Sequence, residues 1–357
     1  MSSMTGKNIK LSVFGQSHSD AIGVVIDGLP TGIKLDTEEI YAFMSRRAPG
    51  NNAFSTTRKE ADKPEILSGL ADGYTCGAPL CAVIKNTNTR SGDYSNLKDC
   101  PRPSHADFAA SIRYDGFNDV AGGGHFSGRL TAPLCFAGAV CMQILKQKGI
   151  EIKAHIYSIA DIKDTPFDLI NITDEDIASK DFPVINDEQG RLMQEKILYA
   201  KSQADSVGGI IECAVTGVKA GYGSPMFDGI ENIIAKNIFG VPAVKGIEFG
   251  NGFDCTLLFG SENNDPFRIR NGNVVTETNN SGGITGGIST GMPIVFRTAM
   301  KPTPSIGKEQ KSVSLSKNEN TDLVINGRHD PCIVQRAVPV IEAVAAISIL
   351  DIISEEN

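Results

Sequence analysis

Short apolar runs, each bounded by Gly, Pro or Asn, recur irregularly along this chain between a few longer amphipathic stretches. Such runs predict β-strands at residues 24–26, 81–84, 210–215 and 294–296. The candidate strands form groups and lack the regular βαβ alternation of a parallel sheet, so a Rossmann fold is disfavoured. The pattern predicts an α+β fold in which antiparallel sheets are covered by helices. No linker or repeat divides the sequence, so we expect a single domain over residues 1–357.

Three helices are predicted from apolar periodicity and from the residues at their ends. The first follows Asp36, a good N-cap residue. Its apolar face is formed by Ile40, Phe43 and Met44. The second is expected over about residues 128–148 and the third over about residues 330–353, where Pro331 suits the first helical position. The polar stretch 308–322 predicts a mobile surface loop.

Composition limits the compartment and the partners. No apolar run approaches the roughly 20 residues that cross a bilayer, and the N-terminus lacks the zones of a secretion signal, so we expect a cytoplasmic protein that does not bind membranes. Eight Cys without zinc spacing or CxxC pairs predict reduced core thiols, with neither a disulfide framework nor a metal site. The net charge of −8 argues against nucleic acid as a partner, so local basic clusters must hold any anionic ligand.

Four clusters combine His with Gly, Arg or Ser, the mixture that a site needs to hold phosphate and to move protons. They are residues 15–18, 102–107, 122–129 and 328–332. A single His is more often structural, but four of the five His fall inside these clusters, which favours function for His18 and His105. A plain helix cap explains Asp330 equally well. His155 lies outside the clusters and is predicted to be a surface residue.

Two further segments carry groups that suit a ligand. Residues 282–291 contain more glycine than a turn requires, and residues 301–305 add a cation and hydroxyls that could hold phosphate. A crossing strand and a rigid Pro turn explain the same two segments without a ligand. Standard dinucleotide, P-loop, zincin and hydrolase motifs do not occur in the sequence. The residues alone therefore indicate an anion-handling enzyme with His and Arg in its site.

Nine ordered motifs make the sequence resemble the chorismate synthase family. They are GQSH, RRAPG, RSGDY, RPSHAD, GGGHFSGR, PAVKGIEFGNGF, SGGITGGISTG, KPTPS and GRHDPCIVQRAVPVIEA, and they extend from about residue 8 to about residue 352. The resemblance implies a β-α-β sandwich of two antiparallel sheets with helices, assembled as a homotetramer. It also implies the last common step of the shikimate pathway to aromatic amino acids.

The resemblance further implies a reaction and a cofactor. Members of the family eliminate phosphate from 5-enolpyruvylshikimate 3-phosphate (EPSP) in an anti-1,4 sense to give chorismate, and they need reduced FMN although no net oxidation occurs. Some members reduce their own flavin with NADPH, whereas others depend on an external supply. The sequence does not distinguish these two cases.

Residue by residue, the resemblance assigns three catalytic side chains. It implies that His18 protonates the departing phosphate, that His105 protonates reduced flavin, and that Asp330 lies near flavin N5 as part of the base for the C6 hydrogen. Flavin contacts are expected from His125, Phe126, Ser127, Pro242, Ala243, Gly286, Lys301, Pro302, Thr303, Pro304, Ser305 and Arg328. Substrate anions are expected to bind Arg46, Arg47, Arg129 and Arg336. Because a cation at a helix C-terminus contributes only about 0.3–1 kcal/mol, we expect Arg47 to bind substrate and to add little stability.

The sequence departs from the common family pattern at a few positions. Gln16 stands where many members have Glu, and residues 125–131 read HFSGRLT where many have RSSARET, so that Leu130 replaces a Glu. A second basic residue that often follows the RRxPG motif is replaced here by Ala53.

Two other classes of protein were weighed against an enzyme of this family. A flavin carrier would keep the FMN site without elimination, but it would need neither the two His nor a pocket for a trianion. A zinc site formed by His18, His105 and His125 lacks the usual ligand spacing.

Overall fold

The computed structural model describes residues 3–48, 62–87, 97–172, 177–325 and 330–356. The strands of this part are β1 (Met4–Thr5), β2 (Lys10–Gly15), β3 (Ala21–Asp27), β4 (Glu65–Ser68), β5 (Leu70–Ala71), β6 (Tyr74–Thr75), β7 (Leu80–Lys85), β8 (Glu151–Ile159), β9 (Ile162–Lys163), β10 (Gly209–Thr216), β11 (Val244–Phe249), β12 (Phe267–Arg270), β13 (Asn273–Thr276), β14 (Ile284–Thr285), β15 (Ile288–Ser289), β16 (Ile294–Met300), β17 (Gln310–Ser314) and β18 (Glu319–Leu323). The α-helices are α1 (Thr37–Arg47), α2 (Asp107–Arg113), α3 (Thr131–Gln147), α4 (Asp187–Ser202), α5 (Ile230–Ile238), α6 (Gly260–Asn263) and α7 (Val334–Ile353).

Two five-stranded antiparallel sheets form the outer layers of the fold. The first has the strand order β1-β2-β3-β7-β4, and the second has the order β11-β16-β10-β8-β9. Helix α3 packs on the first sheet, α7 packs on the second, and the two helices pack on each other. The predicted α+β fold and β-α-β sandwich are therefore confirmed, and the four predicted strands lie within β3, β7, β10 and β16.

The contact between α3 and α7 is closest at Gly138. A Cβ atom built on Gly138 would lie 2.2 Å from the Cβ of Ala343, so the two backbones touch where no side chain intervenes. By length and composition, the stretch Gly128–Gln147 could span a membrane, but 83% of it is buried inside the fold. Helix α3 is thus a core helix whose apolar surface is covered by α7 and by both sheets.

This contact generates a stability prediction. A Gly→Ala change inside a helix normally stabilises by roughly 0.5–1 kcal/mol, but in Gly138→Ala the new methyl group would collide with Ala343. We expect the free energy of unfolding to fall by about 1–3 kcal/mol, as in other overpacked cores, in denaturant melts. Gly260→Ala is the control, because no atom lies within 4 Å of the Cβ it would introduce. A Gly138→Ala protein as stable as this control would contradict the close contact.

The sequence predicted the start of α1 correctly and the start of α7 incorrectly. The Asp36 side chain accepts hydrogen bonds from the backbone N–H groups of Glu38 and Glu39, which confirms the predicted N-cap of α1. Helix α7 begins only at Val334, so the prediction of a start at residues 330–331 was wrong. The carbonyl of Pro331 instead accepts a hydrogen bond from the N–H of Val207 at 2.9 Å. This bond holds Pro331 against the segment that contains Val207, so the helix begins three residues later.

The polar stretch 308–322 is not the mobile loop that its composition predicted. Strands β17 and β18 pair there as an antiparallel hairpin. The Ser312 hydroxyl donates to the carbonyl of Pro101 at 2.6 Å, and the Ser314 hydroxyl donates to Asp99 at 2.8 Å. The hairpin is therefore held by hydroxyl contacts to a distant loop. Because these contacts are polar, the sequence of the hairpin shows no apolar periodicity that would have predicted strands.

The eight cysteines are free thiols in the structure, but they do not all lie in the core. Cys135, Cys141, Cys213 and Cys332 are buried. Burial raises the pKa of Cys135 to about 12, which keeps that thiol protonated. Cys76 and Cys255 are exposed, contrary to the prediction, because they lie in the surface segment after β6 and in a short 3₁₀ helix before α6.

His155 was predicted to lie at the surface, and this was wrong, because its side chain is fully buried on β8. Its Nδ1 lies 3.0 Å from Asp164 Oδ2, and its Nε2 lies 3.0 Å from Glu212 Oε2. Both ring nitrogens face carboxylate oxygens, so both donate and the ring is a cation. Burial alone would lower the pKa of His155, but hydrogen bonds to the two carboxylates outweigh it and raise that pKa.

The raised pKa predicts a pH dependence of stability. The folded protein holds the His155 proton more tightly than the unfolded chain, so this contribution is complete below an unfolded pKa of about 6.5 and is lost as pH rises through the folded pKa. We expect the stability difference between the wild type and His155→Gln to shrink as the pH of denaturant melts rises from about pH 5 toward alkaline values. A difference that grows with pH would contradict a buried imidazolium.

Candidate active site

A cavity of about 1750 Å³ opens beside the N-terminal halves of α3 and α7. This exceeds the roughly 300–1,000 Å³ of an ordinary small-molecule pocket, so it has room for two ligands. Residues from three of the four predicted clusters line the cavity, and the fourth cluster contributes Asp330. Most of the segment 301–305 lines it as well. Among the described lining residues are seven cations and three carboxylates, namely Arg47, Arg102, Arg113, Arg129, Lys236, Lys301 and Arg336 against Asp115, Asp119 and Asp330. The cavity therefore concentrates positive charge in a chain whose net charge is −8.

A glycine turn separates the two predicted catalytic histidines. Gly122 and Gly123 have φ angles of +59° and +84°, which suit glycine. A Cβ on Gly122 would lie 2.2 Å from Cε1 of His18, and a Cβ on Gly123 would lie 3.2 Å from Nε2 of His105. The structure thus brings both rings against consecutive glycines, and His105 lines the cavity. His18 lies behind Gly122, bonded to Ser17 Oγ at 3.2 Å, and is not among the described residues of the cavity wall.

His105 is embedded in a charged network. Its Nδ1 lies 2.6 Å from Asp107 Oδ1. Arg102 binds both oxygens of Asp107, through Nε at 2.7 Å and Nη2 at 2.8 Å, and reaches Ser305 Oγ through Nη1 at 3.1 Å. Burial would raise the pKa of Asp107, but the bonds from Arg102 and His105 prevail and hold it well below its usual range.

Arg47 and Arg129 share one buried carboxylate. Both guanidinium groups bind Asp62 through Nη1. Arg47 also donates to Thr131 Oγ1 and to the carbonyl of Gly128, each at 3.0 Å. Burial would raise the pKa of Asp62, but the two arginines prevail and lower it, so this buried carboxylate stays ionised between two cations.

The environment of Arg47 overturns the expectation that it adds little stability. Its side chain is only 4% exposed and is paired with a fully buried carboxylate. Removal of one partner of a buried pair typically costs about 3–5 kcal/mol, because the other charge stays buried. We expect Arg47→Ala to lose roughly this much free energy of unfolding, as measured by denaturant melts.

The control for this prediction is Arg191→Ala, which removes an arginine from exposed pairs with Glu188 and Glu195. We expect no resolvable change in that variant. If both variants melt alike, Arg47 contributes nothing to the fold.

Asp330 is a cavity residue and not a helix cap. Arg336, on the first turn of α7, donates from Nη1 to Asp330 Oδ2 at 2.6 Å and from Nε to the carbonyl of Arg47 at 3.1 Å. Burial lowers the pKa of Arg336 despite the adjacent Asp330. The ion pair fixes the position of the Asp330 carboxylate at the cavity wall.

His125 links the glycine-rich loop to the N-terminus. Its Nδ1 lies 2.7 Å from the carbonyl of Gly15, which can only accept, so Nδ1 carries the proton. Its Nε2 then accepts from Ser3 Oγ at 2.7 Å. Phe126 and Ser127 follow on the cavity wall. His125 therefore holds the loop in place.

The cavity is also lined by Pro242, by Ala243 and by most of the segment 301–305, namely Lys301, Thr303, Pro304 and Ser305. The backbone N–H of Lys301 donates to Ala243 O at 2.9 Å, and its ammonium group donates to the carbonyl of Ser104. Burial, with Lys245 nearby, lowers the pKa of Lys301. The buried Oγ1 of Thr303 has no hydrogen-bond partner in the part of the chain that the structure describes, a state that a bound polar ligand would relieve.

Besides His18, three predicted site residues are absent from the described cavity wall. Arg46 binds Glu342 on α7, at 2.5 and 3.0 Å, and is not among the described residues of the cavity wall, because successive residues of a helix point about 100° apart. Gly286 lies in the turn between β14 and β15, away from the described cavity wall. Pro302 is also absent from that wall, although Lys301 and Thr303 line it. Arg328 and Ala53 lie outside the described residues.

Sequence reasoning assigned no role to Asp62, Arg102 or Asp107. Arg102 and Asp107 stand inside the RPSHAD motif, so their spacing around His105 was a usable signal. Asp62 belongs to no motif, and only the fold places it between Arg47 and Arg129.

Comparison with known proteins agrees with this arrangement. The family described as chorismate synthase matches residues 9–353. The chorismate synthase of Lancefieldella parvula is 46% identical, covering 100% of this chain and 98% of the relative, and that of Thermococcus kodakarensis is 44% identical, covering 98% and 96%. A solved structure described as a crystal structure of chorismate synthase superposes with a TM-score of 0.77 at 26% identity, covering 99% of this chain and 93% of the other.

These matches define the class of the protein, which is an enzyme and a lyase. The chain belongs to the chorismate synthase family.

Proposed function

We propose that this protein eliminates phosphate from EPSP in an anti-1,4 sense to give chorismate, with reduced FMN bound in the same cavity. The observation that carries the proposal is the pair of histidines, His18 and His105, against adjacent glycines, with His105 on a cavity wall that carries seven cations. A substrate with one phosphate and two carboxylates needs such a wall, and a leaving phosphate needs a proton donor.

The residues present fit a flavin mononucleotide. The cavity is large enough for FMN beside a substrate, and Lys301 and the unsatisfied Thr303 hydroxyl suit a phosphate or a polar ring edge. Residues 125–127, Pro242, Ala243 and the segment 301–305 would hold the cofactor. When bound, reduced FMN supplies electron density that assists the departure of phosphate and is recovered as the C6 hydrogen leaves.

The side chains of this chain then divide the remaining work. His18 donates a proton to the departing phosphate, and His105 holds the proton exchanged with the flavin. Asp330, fixed by Arg336, receives the C6 hydrogen as a proton. Arg47 and Arg129, which share Asp62 and line the cavity, hold substrate anions. NADPH enters this proposal only as one possible reductant of the flavin.

A homotetramer is part of the proposal, and one exposed surface supports it. The segment 252–276 carries several apolar side chains that are largely exposed, namely Phe253, Leu257, Phe259, Phe267, Ile269 and Val274. Clusters of exposed apolar side chains typically mark protein–protein contacts.

The proposal is tested by anaerobic turnover. Purified protein with EPSP, FMN and dithionite should release chorismate and phosphate in equal amounts, followed by absorbance and by a phosphate assay. Oxidised FMN should support neither product, and NADPH in place of dithionite tests whether the enzyme reduces its own flavin. Full activity without any flavin would overturn the cofactor assignment.

A matched pair of variants tests the site in the same assay. His18→Ala should lower turnover by roughly 10²–10⁴-fold, the usual contribution of a general acid. Ser111→Ala, an exposed residue on α2 whose hydroxyl only caps the carbonyl of Phe108, should turn over normally. Equal turnover in both variants would remove His18 from the mechanism.

A further inference from the structure

The carboxylate of Asp107 is arranged entirely as an acceptor. Oδ2 accepts from the backbone N–H of Arg102 at 3.0 Å and from its Nε at 2.7 Å, and Oδ1 accepts from Arg102 Nη2 at 2.8 Å. Asp107 is 6% exposed and opens α2, so these bonds are shielded from water. Its remaining acceptor site on Oδ1 is directed at the ring of His105.

This geometry fixes which ring nitrogen of His105 carries a proton. Nδ1 lies 2.6 Å from Asp107 Oδ1, and two acceptors at that distance would repel each other unless a proton lay between them. Nδ1 also lies 3.1 Å from Arg102 Nη2, whose second N–H could reach it, but such a bond would leave two acceptors facing each other across the shorter 2.6 Å contact with Oδ1. The neutral ring is therefore the Nδ1–H tautomer, and Nε2 keeps its lone pair.

Nε2 is the nitrogen that faces the glycine turn. A Cβ on Gly123 would lie 3.2 Å from it, so the absence of a side chain there leaves Nε2 accessible. The His105 side chain keeps 15% of its surface exposed, and the residue lines the cavity. A proton can thus enter and leave at Nε2 while Nδ1 stays bonded to Asp107.

We propose that Asp107 is a positioning residue that locks His105 in the Nδ1–H tautomer, so that Nε2 is the atom that exchanges protons in the cavity. The reaction it serves rests on the proposed function, but the tautomer itself does not. Arg102 completes the unit, because its bonds to both oxygens and to Ser305 hold the carboxylate in one orientation.

Asp107→Asn gives a specific expectation. If the new amide nitrogen took the place of Oδ2, it would face two donors of Arg102, the backbone N–H and Nε. In the place of Oδ1 it would face only one donor of Arg102, Nη2. The amide should therefore take the Oδ1 position and donate to Nδ1, which forces His105 into the Nε2–H tautomer. In this variant the nitrogen that faces the cavity can no longer accept a proton.

The test is nitrogen NMR of the full-length protein with uniformly labelled histidine, since protonated and unprotonated ring nitrogens resonate in separate regions. The His105 signals are assigned by their loss in His105→Gln. In the wild type, without flavin, we expect Nδ1 protonated and Nε2 unprotonated in the neutral ring; the opposite tautomer would overturn the proposal without any Asp107 variant. In Asp107→Asn we expect the two to exchange, whereas Ser111→Ala should keep the wild-type signals.

Turnover with EPSP and reduced FMN provides the second readout. Asp107→Asn should lose roughly 10²–10⁴-fold in turnover, while FMN binding, measured by fluorescence quenching, stays near that of the wild type. A switched tautomer with unchanged turnover would overturn the positioning role. If the wild type itself fails to form chorismate, the proposed function fails, yet the NMR result still decides whether Asp107 sets the tautomer.

Discussion

The direct backbone contact between α3 and α7 at Gly138 and Ala343 is the constraint on which the arrangement of the site depends. The two helices join the sheets that cover them, and the cavity opens beside their N-terminal halves. Thr131, at the start of α3, bonds to Arg47, whereas Arg336 on the first turn of α7 bonds to Asp330 and to the backbone of Arg47. A shift of one helix along the other would therefore break one of the two hydrogen bonds by which Thr131 and Arg336 hold Arg47.

Local patterns in the sequence predicted much of the framework, because the physics behind them is local. The N-cap of α1, the apolar runs of β3 and β10 and the glycine that follows α3 are each specified within a few residues. The errors arose where distant partners decide the structure. His155 is buried because Asp164 and Glu212 supply charge, and α7 starts late because Pro331 is bonded to Val207. No pattern within a few residues encodes such pairings.

The same distinction applies to the site. Counting how many histidines fall inside the clusters was enough to select His18 and His105, but only the fold places them against Gly122 and Gly123. Arg46 and Arg47 are adjacent in sequence, yet one binds Glu342 and the other binds Asp62. Asp62, Asp107 and Asp330 each hold a cavity arginine in place and neutralise part of its charge. These ion pairs hold the cavity arginines in fixed orientations.

The turn at Gly122 and Gly123 has a consequence for how the gene can vary. Every missense change at a glycine codon adds at least a Cβ atom, and at these two positions that atom would meet the ring of His18 or approach that of His105. The spacing between the two proton-handling rings is consequently set by main chain alone, and no rotamer change elsewhere can restore it. A side chain can be accommodated at the flank of this turn, at position 125, where the His125 ring bonds to Ser3 and to the carbonyl of Gly15.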